Sequence, residues 1–186
     1  MVRSPPSPGP GRPDTAATGD PATSAQLNQP AGLAFDAAGN LYIADFGNQA
    51  VRKVDTSGTV TTVAGTGAAG DLGDGDNAGS ARLDGPTDVA LASDGALLIV
   101  DQLNNKLRRV ASAPEGSLSG AGTITTLIGD GRAAFADGPG PRASLLAPTD
   151  VAVDAHGNVL IADRGNQRSE SRLPATTTPA RERRAR

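Results

Sequence analysis

Three segments of this 186-residue chain follow one pattern, which constrains the fold more than any other feature of the sequence. Each segment starts at a proline and carries two short apolar runs split by a glycine turn, then an Asp-x-x-Asn motif. The segments are PAGLAFDAAGNLYIADFGNQAVRKVD from Pro30, PTDVALASDGALLIVDQLNNKLRRVA from Pro86 and PTDVAVDAHGNVLIADRGNQRSESRL from Pro148. A spacing of 56 and then 62 residues predicts one structural unit built three times.

Within each segment the pattern predicts short β-strands. The first apolar run ends at a turn whose glycine, Gly39, Gly95 or Gly157, permits the left-handed backbone of a hairpin. The second run, LYIA, LLIV or VLIA, is apolar throughout, as expected of a strand covered on both faces. A third strand carries charges, and a fourth is rich in Thr at 59–65 and 123–129. Four antiparallel strands with two apolar faces must stack on neighbouring units, which predicts propeller blades.

The composition agrees with short strands joined by turns. The 24 Gly and 14 Pro disfavour long helices, and with three Phe, one Tyr and no Trp the core must be built from small aliphatic side chains. The absence of Cys excludes disulfides and thiolate chemistry. The first residues, MVRSPPSPGPGRPD, contain no apolar run of signal-peptide length, and we expect no membrane span. The sequence leaves the cellular compartment open.

Composition also divides the chain into a repeat region and two ends. Residues 1–25 are rich in Pro, Gly and Ser without apolar periodicity, which predicts disorder. The third unit breaks off, since ESRLPATTTP follows it in place of a Thr-rich fourth strand. Residues 169–186 are predicted to be a disordered basic tail. Propeller repeats are expected over 26–168, in units at 30–65, 86–129 and 148–168.

Taken together, the proline, the YIAD or LIVD strand, the Asp-x-x-Asn spacing and the basic third strand resemble the NHL repeat. The connecting loop TGAAGDLGDGDNAGSARLDGP is similar to the connector of bacterial, plant and teneurin-type members. The resemblance covers residues 20 to about 168 and implies a β-propeller, usually of six blades. We therefore expect an all-β, partial propeller of about three NHL-type blades, with an incomplete third blade and an unclosed ring. Its open blade faces and edges predict self-association or a protein partner.

The Asp-x-x-Asn motif is the most consistent polar feature of the repeats. We interpret it as scaffold, because an Asp at a strand end is expected to accept backbone N–H bonds two or three residues on, while Asn tolerates a left-handed conformation. The alternative is that these residues ring one mouth of the propeller and bind a ligand. The six residues are Asp45 and Asn48, Asp101 and Asn104, and Asp163 and Asn166.

The loop after the first unit holds two motifs that suggest a ligand. GTGAAG at 65–70 has dinucleotide-binding spacing, but DLGDGDNAG follows it and disfavours the helix that such a site requires. We interpret it as a connecting turn and expect no cofactor. Asp71, Asp74 and Asp76 offer oxygen ligands for a weak calcium site, although their spacing is not that of an EF-hand. A solvated acidic loop is the alternative that we favour.

Catalytic residues are scarce in the sequence. His156 is the one histidine, and its hairpin-turn position holds Ala38 and Asp94 in the other units, so neither a Ser-His-Asp set nor a histidine zinc site is expected. The sequence favours a non-catalytic binding or protein-interaction scaffold, although an enzyme is not excluded. The open alternatives are a fragment of a propeller lyase or hydrolase with its site in missing blades, and an RNA-binding NHL module.

The basic residues at the end of the chain could contact nucleic acid or an acidic membrane surface. They have no interleaved aromatic side chain for stacking on bases. Residues 1–163 also hold 10 Lys and Arg against 18 Asp and Glu, a formal charge of −8. Nucleic acid is therefore not the expected partner. The basic residues in question are Arg181, Arg183, Arg184 and Arg186.

Overall fold

The computed structural model describes residues 19, 21–112 and 122–174, with the backbone alone for 168–174. These residues form eleven β-strands in three sheets, joined by turns and three-residue 3-10 segments, and contain no α-helix. Blade 1 consists of β1 (Pro30–Phe35), β2 (Leu41–Asp45), β3 (Ala50–Val54) and β4 (Val60–Ala64). Blade 2 consists of β5 (Pro86–Leu91), β6 (Leu97–Asp101), β7 (Lys106–Val110) and β8 (Ile124–Ile128). Blade 3 consists of β9 (Asp150–Val153), β10 (Asn158–Asp163) and β11 (Arg168–Pro174).

The three sheets share one antiparallel meander. Strands pair in chain order in each blade, and blade 3 has three strands within the described residues. The registers are conserved between units, because Asp45 pairs with Ala50 as Asp101 pairs with Lys106. The prediction of an all-β fold of four-stranded antiparallel blades in an unclosed arrangement is confirmed.

Each of the two terminal segments that we predicted to be disordered, 1–25 and 169–186, includes residues that pair with a strand. β11 occupies 168–174, beyond the expected limit of the third unit, because its backbone pairs with β10 along its length. Near the other end, Pro21 forms an isolated bridge with Thr59 beside β4. Backbone pairing needs no apolar alternation, so the composition did not signal either contact. The remaining parts of the predicted ends lie outside the described residues, at 1–18, 20 and 175–186.

Buried apolar side chains concentrate in two seams between successive blades. The first seam packs blade 1 against blade 2, through residues that include Tyr42, Val51, Val63, Val89, Leu97 and Ile99. The second seam packs blade 2 against blade 3, through residues that include Leu98, Val100, Leu107, Val151, Val159 and Ile161. Strand β6 supplies alternate residues to both seams, and all of its apolar side chains are buried. Each such side chain contributes roughly 1.5–3 kcal/mol on burial, so the seams are the core of the molecule.

Candidate functional site

The aspartate of each Asp-x-x-Asn motif is buried, and the motif ties the end of the second strand to the chain that enters the blade. One carboxylate oxygen of Asp45, Asp101 or Asp163 accepts a bond from a backbone N–H seventeen residues earlier, at 2.7–2.8 Å. The other oxygen accepts from the Asn side chain of the same motif. That Asn also donates to an earlier backbone carbonyl. The prediction that each aspartate accepts N–H bonds from residues two or three positions later was wrong, because the carboxylate faces the chain that enters the blade. The actual N–H donors are Asn28, Asp84 and Leu146.

Arginine side chains extend this buried network in blades 1 and 2. Arg52 Nε lies 3.1 Å from Asp45 Oδ2, and Arg108 Nη1 lies 3.3 Å from Asp101 Oδ2. Burial raises the pKa of Asp101 to about 6, although the bonds from Asn104 and the Asp84 N–H and the charge of Arg108 oppose the shift. A carboxylate enclosed in this way has no face open to a ligand, which agrees with a scaffold interpretation of the motif.

The left-handed residue of each motif follows the asparagine. Gln49, Asn105 and Gln167 have φ of 50°, 52° and 55°. The expectation that the asparagine itself takes this conformation was therefore wrong, because the asparagine closes a 3-10 turn and the next residue reverses the chain. The sequence signal was present, since all three positions carry a carboxamide.

Two of these carboxamides cross the seams between blades. Gln49 Oε1 accepts the N–H of Gly85 at 2.6 Å, and Asn105 Oδ1 accepts the N–H of Ala147 at 2.9 Å. Both N–H groups belong to the residue before the first proline of the next blade, and both residues are left-handed. We call this contact the seam carboxamide bond. It fixes the entry of each blade to the preceding one.

The connecting-loop carboxylates bind cationic side chains of blade 2. Asp71 Oδ2 lies 2.6 Å from Lys106 Nζ, and Asp74 Oδ1 lies 2.8 Å from Arg108 Nη2. Asp76 is exposed, and its backbone carbonyl accepts the Ile124 N–H. Among the described residues, no three His, Cys, Asp or Glu side chains are grouped as a metal site requires. The ion pairs engage two of the carboxylates that the calcium hypothesis needed, and they fasten the loop to β7.

The other two motif candidates lie in turns. GTGAAG at 65–70 is followed by an extended loop and the three-residue 3-10 segment Ala78–Ser80, which is too short to present a helix N-terminus to a phosphate. His156 has an 87% exposed side chain, with Nδ1 3.8 Å from Asp154 Oδ2. Neither turn assembles a phosphate cradle or a nucleophile with its base. The basic residues Arg181, Arg183, Arg184 and Arg186 lie outside the described part of the chain.

A carboxyl pair that the sequence analysis missed lies on the first strands of blades 2 and 3. Asp88 Oδ2 accepts the Val151 N–H at 2.9 Å across the second seam. Burial, together with the hydrogen bond to Asp150, raises the pKa of Asp88 to about 7. The same position in blade 1 is Gly32, where a Cβ would collide with Asp88. The sequence signal for this pair was the third residue of each unit, which is Gly in PAG of the first unit and Asp in PTD of the second and third. Its role could not be predicted, because it depends on contact between blades.

A shallow cavity of about 400 Å³ lies between the β1–β2 and β5–β6 hairpins. Its lining includes Phe35, Asp36, Tyr42 and Leu91. The Tyr42 hydroxyl donates to Asp36 Oδ2 at 3.0 Å, and burial with this bond raises the pKa of Tyr42 above its usual range. The hydroxyl therefore stays neutral and serves to close the β1–β2 turn, rather than acting as a base.

The first strand of blade 1 exposes an apolar face. Leu33 is 60% exposed, whereas its counterparts Val89 and Val151 are 3% and 5% exposed within the seams. Phe35, on the same face of β1, is 68% exposed. Ala34, which alternates with them, packs into the first seam. Strand β1 therefore presents to solvent the kind of side chains that blades 2 and 3 bury at this position, while Ile43 of β2, which pairs with Leu33, is itself buried. We call the exposed surface of β1 the open face.

Comparisons with known proteins agree with a partial β-propeller built from repeated blades. A protein of unknown function from Bacteroides thetaiotaomicron superposes with a TM-score of 0.66 at 23% identity, covering 80% of this chain and 36% of that one. An auxiliary nutrient binding protein from Bacteroides ovatus superposes with a TM-score of 0.61 at 22% identity, covering 76% and 37%. At these identities the likeness establishes the fold.

Comparison of the sequence with family models identifies the kind of repeat. Residues 8–71 match the teneurin NHL domain, and residues 145–168 match the NHL repeat. The chain is thus a partial match to the NHL-repeat family, as its motifs indicated. Protein SUPPRESSOR OF QUENCHING 1, chloroplastic, of Arabidopsis thaliana is 29% identical over 132 residues, which cover 67% of this chain and 12% of that protein. Among the described residues, no helix has the length and hydrophobicity to cross a membrane.

Proposed function

We propose that this chain is a non-catalytic protein-interaction module that binds a polypeptide through the open face of blade 1. The observation that carries the proposal is the contrast between Leu33, which is 60% exposed, and Val89, its 3% exposed counterpart. The same repeat position is solvent-exposed in one blade and buried by a neighbouring sheet in the next. A face of this composition is complementary to another apolar sheet or helix face.

The entry segment of blade 1 enlarges the open face. Leu27 is 38% exposed, whereas its counterparts Leu83 and Leu145 are fully buried at the seams. Exposed apolar patches are typical of protein interaction sites. Burial of Leu27, Leu33 and Phe35 by a partner would contribute up to roughly 1.5–3 kcal/mol for each side chain. The sum is enough for specific binding once the entropy of association is offset.

A photo-crosslinking experiment tests the proposal. The probe p-benzoylphenylalanine replaces Phe35 on the open face or, as the matched control, Phe135, which is 46% exposed in the connecting segment before blade 3. In the cells that make the protein, we expect the probe at 35 to form a covalent adduct with a polypeptide, and the probe at 135 to form much less. Equal yields at both positions, or no adduct at 35, would contradict the proposal.

A further inference from the structure

The two internal seams of the chain are built to one plan. At each, an apolar first strand of the later blade packs on the earlier blade, as Val89 and Val151 show. A leucine of the entry segment, Leu83 or Leu145, is fully buried beside it. A seam carboxamide bond then joins the left-handed residue of the earlier blade to the left-handed residue before the proline of the later one.

The features that each later blade contributes to a seam recur on blade 1, in β1 and in the segment that precedes it. Leu27 and Leu33 occupy the positions of the buried leucines and valines, and both are exposed. Gln29, at the position of Gly85 and Ala147, is exposed and left-handed, with φ of 52°. The backbone of this segment therefore already has the conformation that presents its N–H to a seam carboxamide.

The earlier-blade half of the plan is repeated on blade 3. Gln167 occupies the position of Gln49 and Asn105, with the same left-handed backbone and an exposed side chain. Leu160 occupies the position of Leu98, which is fully buried in the second seam, and is itself 36% exposed. Blade 3 thus carries an apolar residue and a carboxamide whose oxygen can accept an N–H, and both side chains are exposed to solvent.

We propose that the partner of the open face is blade 3 of a second copy of this chain, docked head to tail as a third seam. Gln167 Oε1 of one copy accepts the Gln29 N–H of the other, and Leu160 packs against Leu33. Asp150 accepts the Leu33 N–H, as Asp88 accepts the Val151 N–H in the second seam. This inference rests on the proposed function, because it names the occupant of the same face.

Such a contact is heterologous, since it joins two different surfaces. The assembly as a whole keeps one unused surface of each kind until it closes, so growth depends on both the open face and blade 3. An isologous dimer, with two open faces in contact, would depend on the open face alone. This difference allows the two arrangements to be separated by mutation.

Sedimentation velocity of the full chain provides the test. The wild-type chain is expected to form concentration-dependent oligomers. Leu33→Asp places a charge on the open face, and Leu160→Asp places one on the exposed face of blade 3. Each variant alone is therefore expected to be monomeric. Their equimolar mixture retains one intact pair of faces and is expected to form a 1:1 dimer. The matched control is Leu72→Asp, at a 61% exposed residue of the connecting loop, and it should assemble as the wild type does.

A milder variant guards against misfolding of the charged ones. Gln167→Ala changes an exposed side chain and removes the seam carboxamide, so we expect the dissociation constant of the assembly to rise about five-fold. Thermal melts of each variant, compared with the wild type, verify that the monomer is folded.

Three outcomes would overturn the head-to-tail proposal. They are a wild-type chain that stays monomeric at its highest soluble concentration, a Leu160→Asp variant that still dimerises alone, and an equimolar mixture that stays monomeric. The proposed function fails separately, through absence of the crosslink at position 35. A crosslink from position 35 to a different polypeptide, with a monomeric wild-type chain, would retain the interaction module and reject the second copy as its partner.

Discussion

Among the described residues, blade 2 packs against a neighbouring sheet on both faces and blade 1 on only one, although the two sheets have the same strand order and matching registers. In blade 2, Leu97 faces blade 1 and Leu98 faces blade 3, and both are fully buried. In blade 1, Tyr42 is buried in the first seam, while Leu33 and Phe35 remain exposed. The difference teaches that each unit encodes two apolar faces whether or not a neighbour is present, as in other repeat proteins.

The largest expected effect separates a seam residue from an open-face residue of the same type. Leu97→Ala leaves a cavity in the first seam and should lower the free energy of unfolding by about 2–5 kcal/mol. Leu33→Ala should change it by less than about 0.5 kcal/mol in the monomer, because Leu33 is mostly exposed. Urea unfolding at low protein concentration measures both. Similar losses for the two variants would break the distinction between seam and open face.

A second pair of variants tests the seam carboxamide bond. Gln49→Ala leaves the buried N–H of Gly85 without its acceptor, which should cost about 1–3 kcal/mol of unfolding free energy. Gln167→Ala is the matched control, since this carboxamide is exposed and should leave the stability of the monomer unchanged. Urea unfolding again provides the measurement. If Gln49→Ala were as stable as the wild type, the bond would not hold the blades together.

The smallest expected effect is a pH dependence of stability that arises at the second seam, where Asp88 lies, and not at the first, where Gly32 holds the equivalent position. Asp88 has a pKa of about 7 in the folded protein, above its ordinary value of 3.8. The folded state therefore binds this proton more tightly, so the stabilisation is complete below about pH 4 and is lost as the pH rises through 7. Because Asp88 is half-buried, we expect the melting temperature to fall by only about 2–4 °C between about pH 5 and pH 8.

The variant Asp88→Asn tests the origin of this pH dependence. Its side-chain oxygen can still accept the Val151 N–H, but the side chain does not titrate, so most of the fall in melting temperature should disappear. Asp101, with a pKa raised to about 6, contributes a slope of the same sign and should leave a residual fall. Asp76→Asn, at an exposed loop position, should retain the wild-type profile. An unchanged profile in Asp88→Asn would exclude the carboxyl pair as its cause.

Local patterns were sufficient to predict the strands and their stacking. Strand β6 is apolar at consecutive positions because both of its faces are buried, and Gly95 has the positive φ that its hairpin turn requires. The repeated aspartates were found for the same reason, since identical surroundings select identical residues. Their actual partners were not predicted, because Asn28, Asp84 and Leu146 lie seventeen residues away and meet the carboxylates only when the chain enters its blade.

The sequence by itself determined the unit, which consists of a proline, two apolar strands around a glycine turn and an Asp-x-x-Asn motif, because the strands and turns depend on neighbours along the chain and on alternation within a strand. Only the tertiary structure decided which equivalent residues differ in environment. Gly32, Asp88 and Asp150 acquire distinct roles through the blade beside them, and Leu33 and Val89 differ because one has a blade packed upon it and the other does not. Burial depends on contacts between distant segments, which a repeated local pattern does not specify.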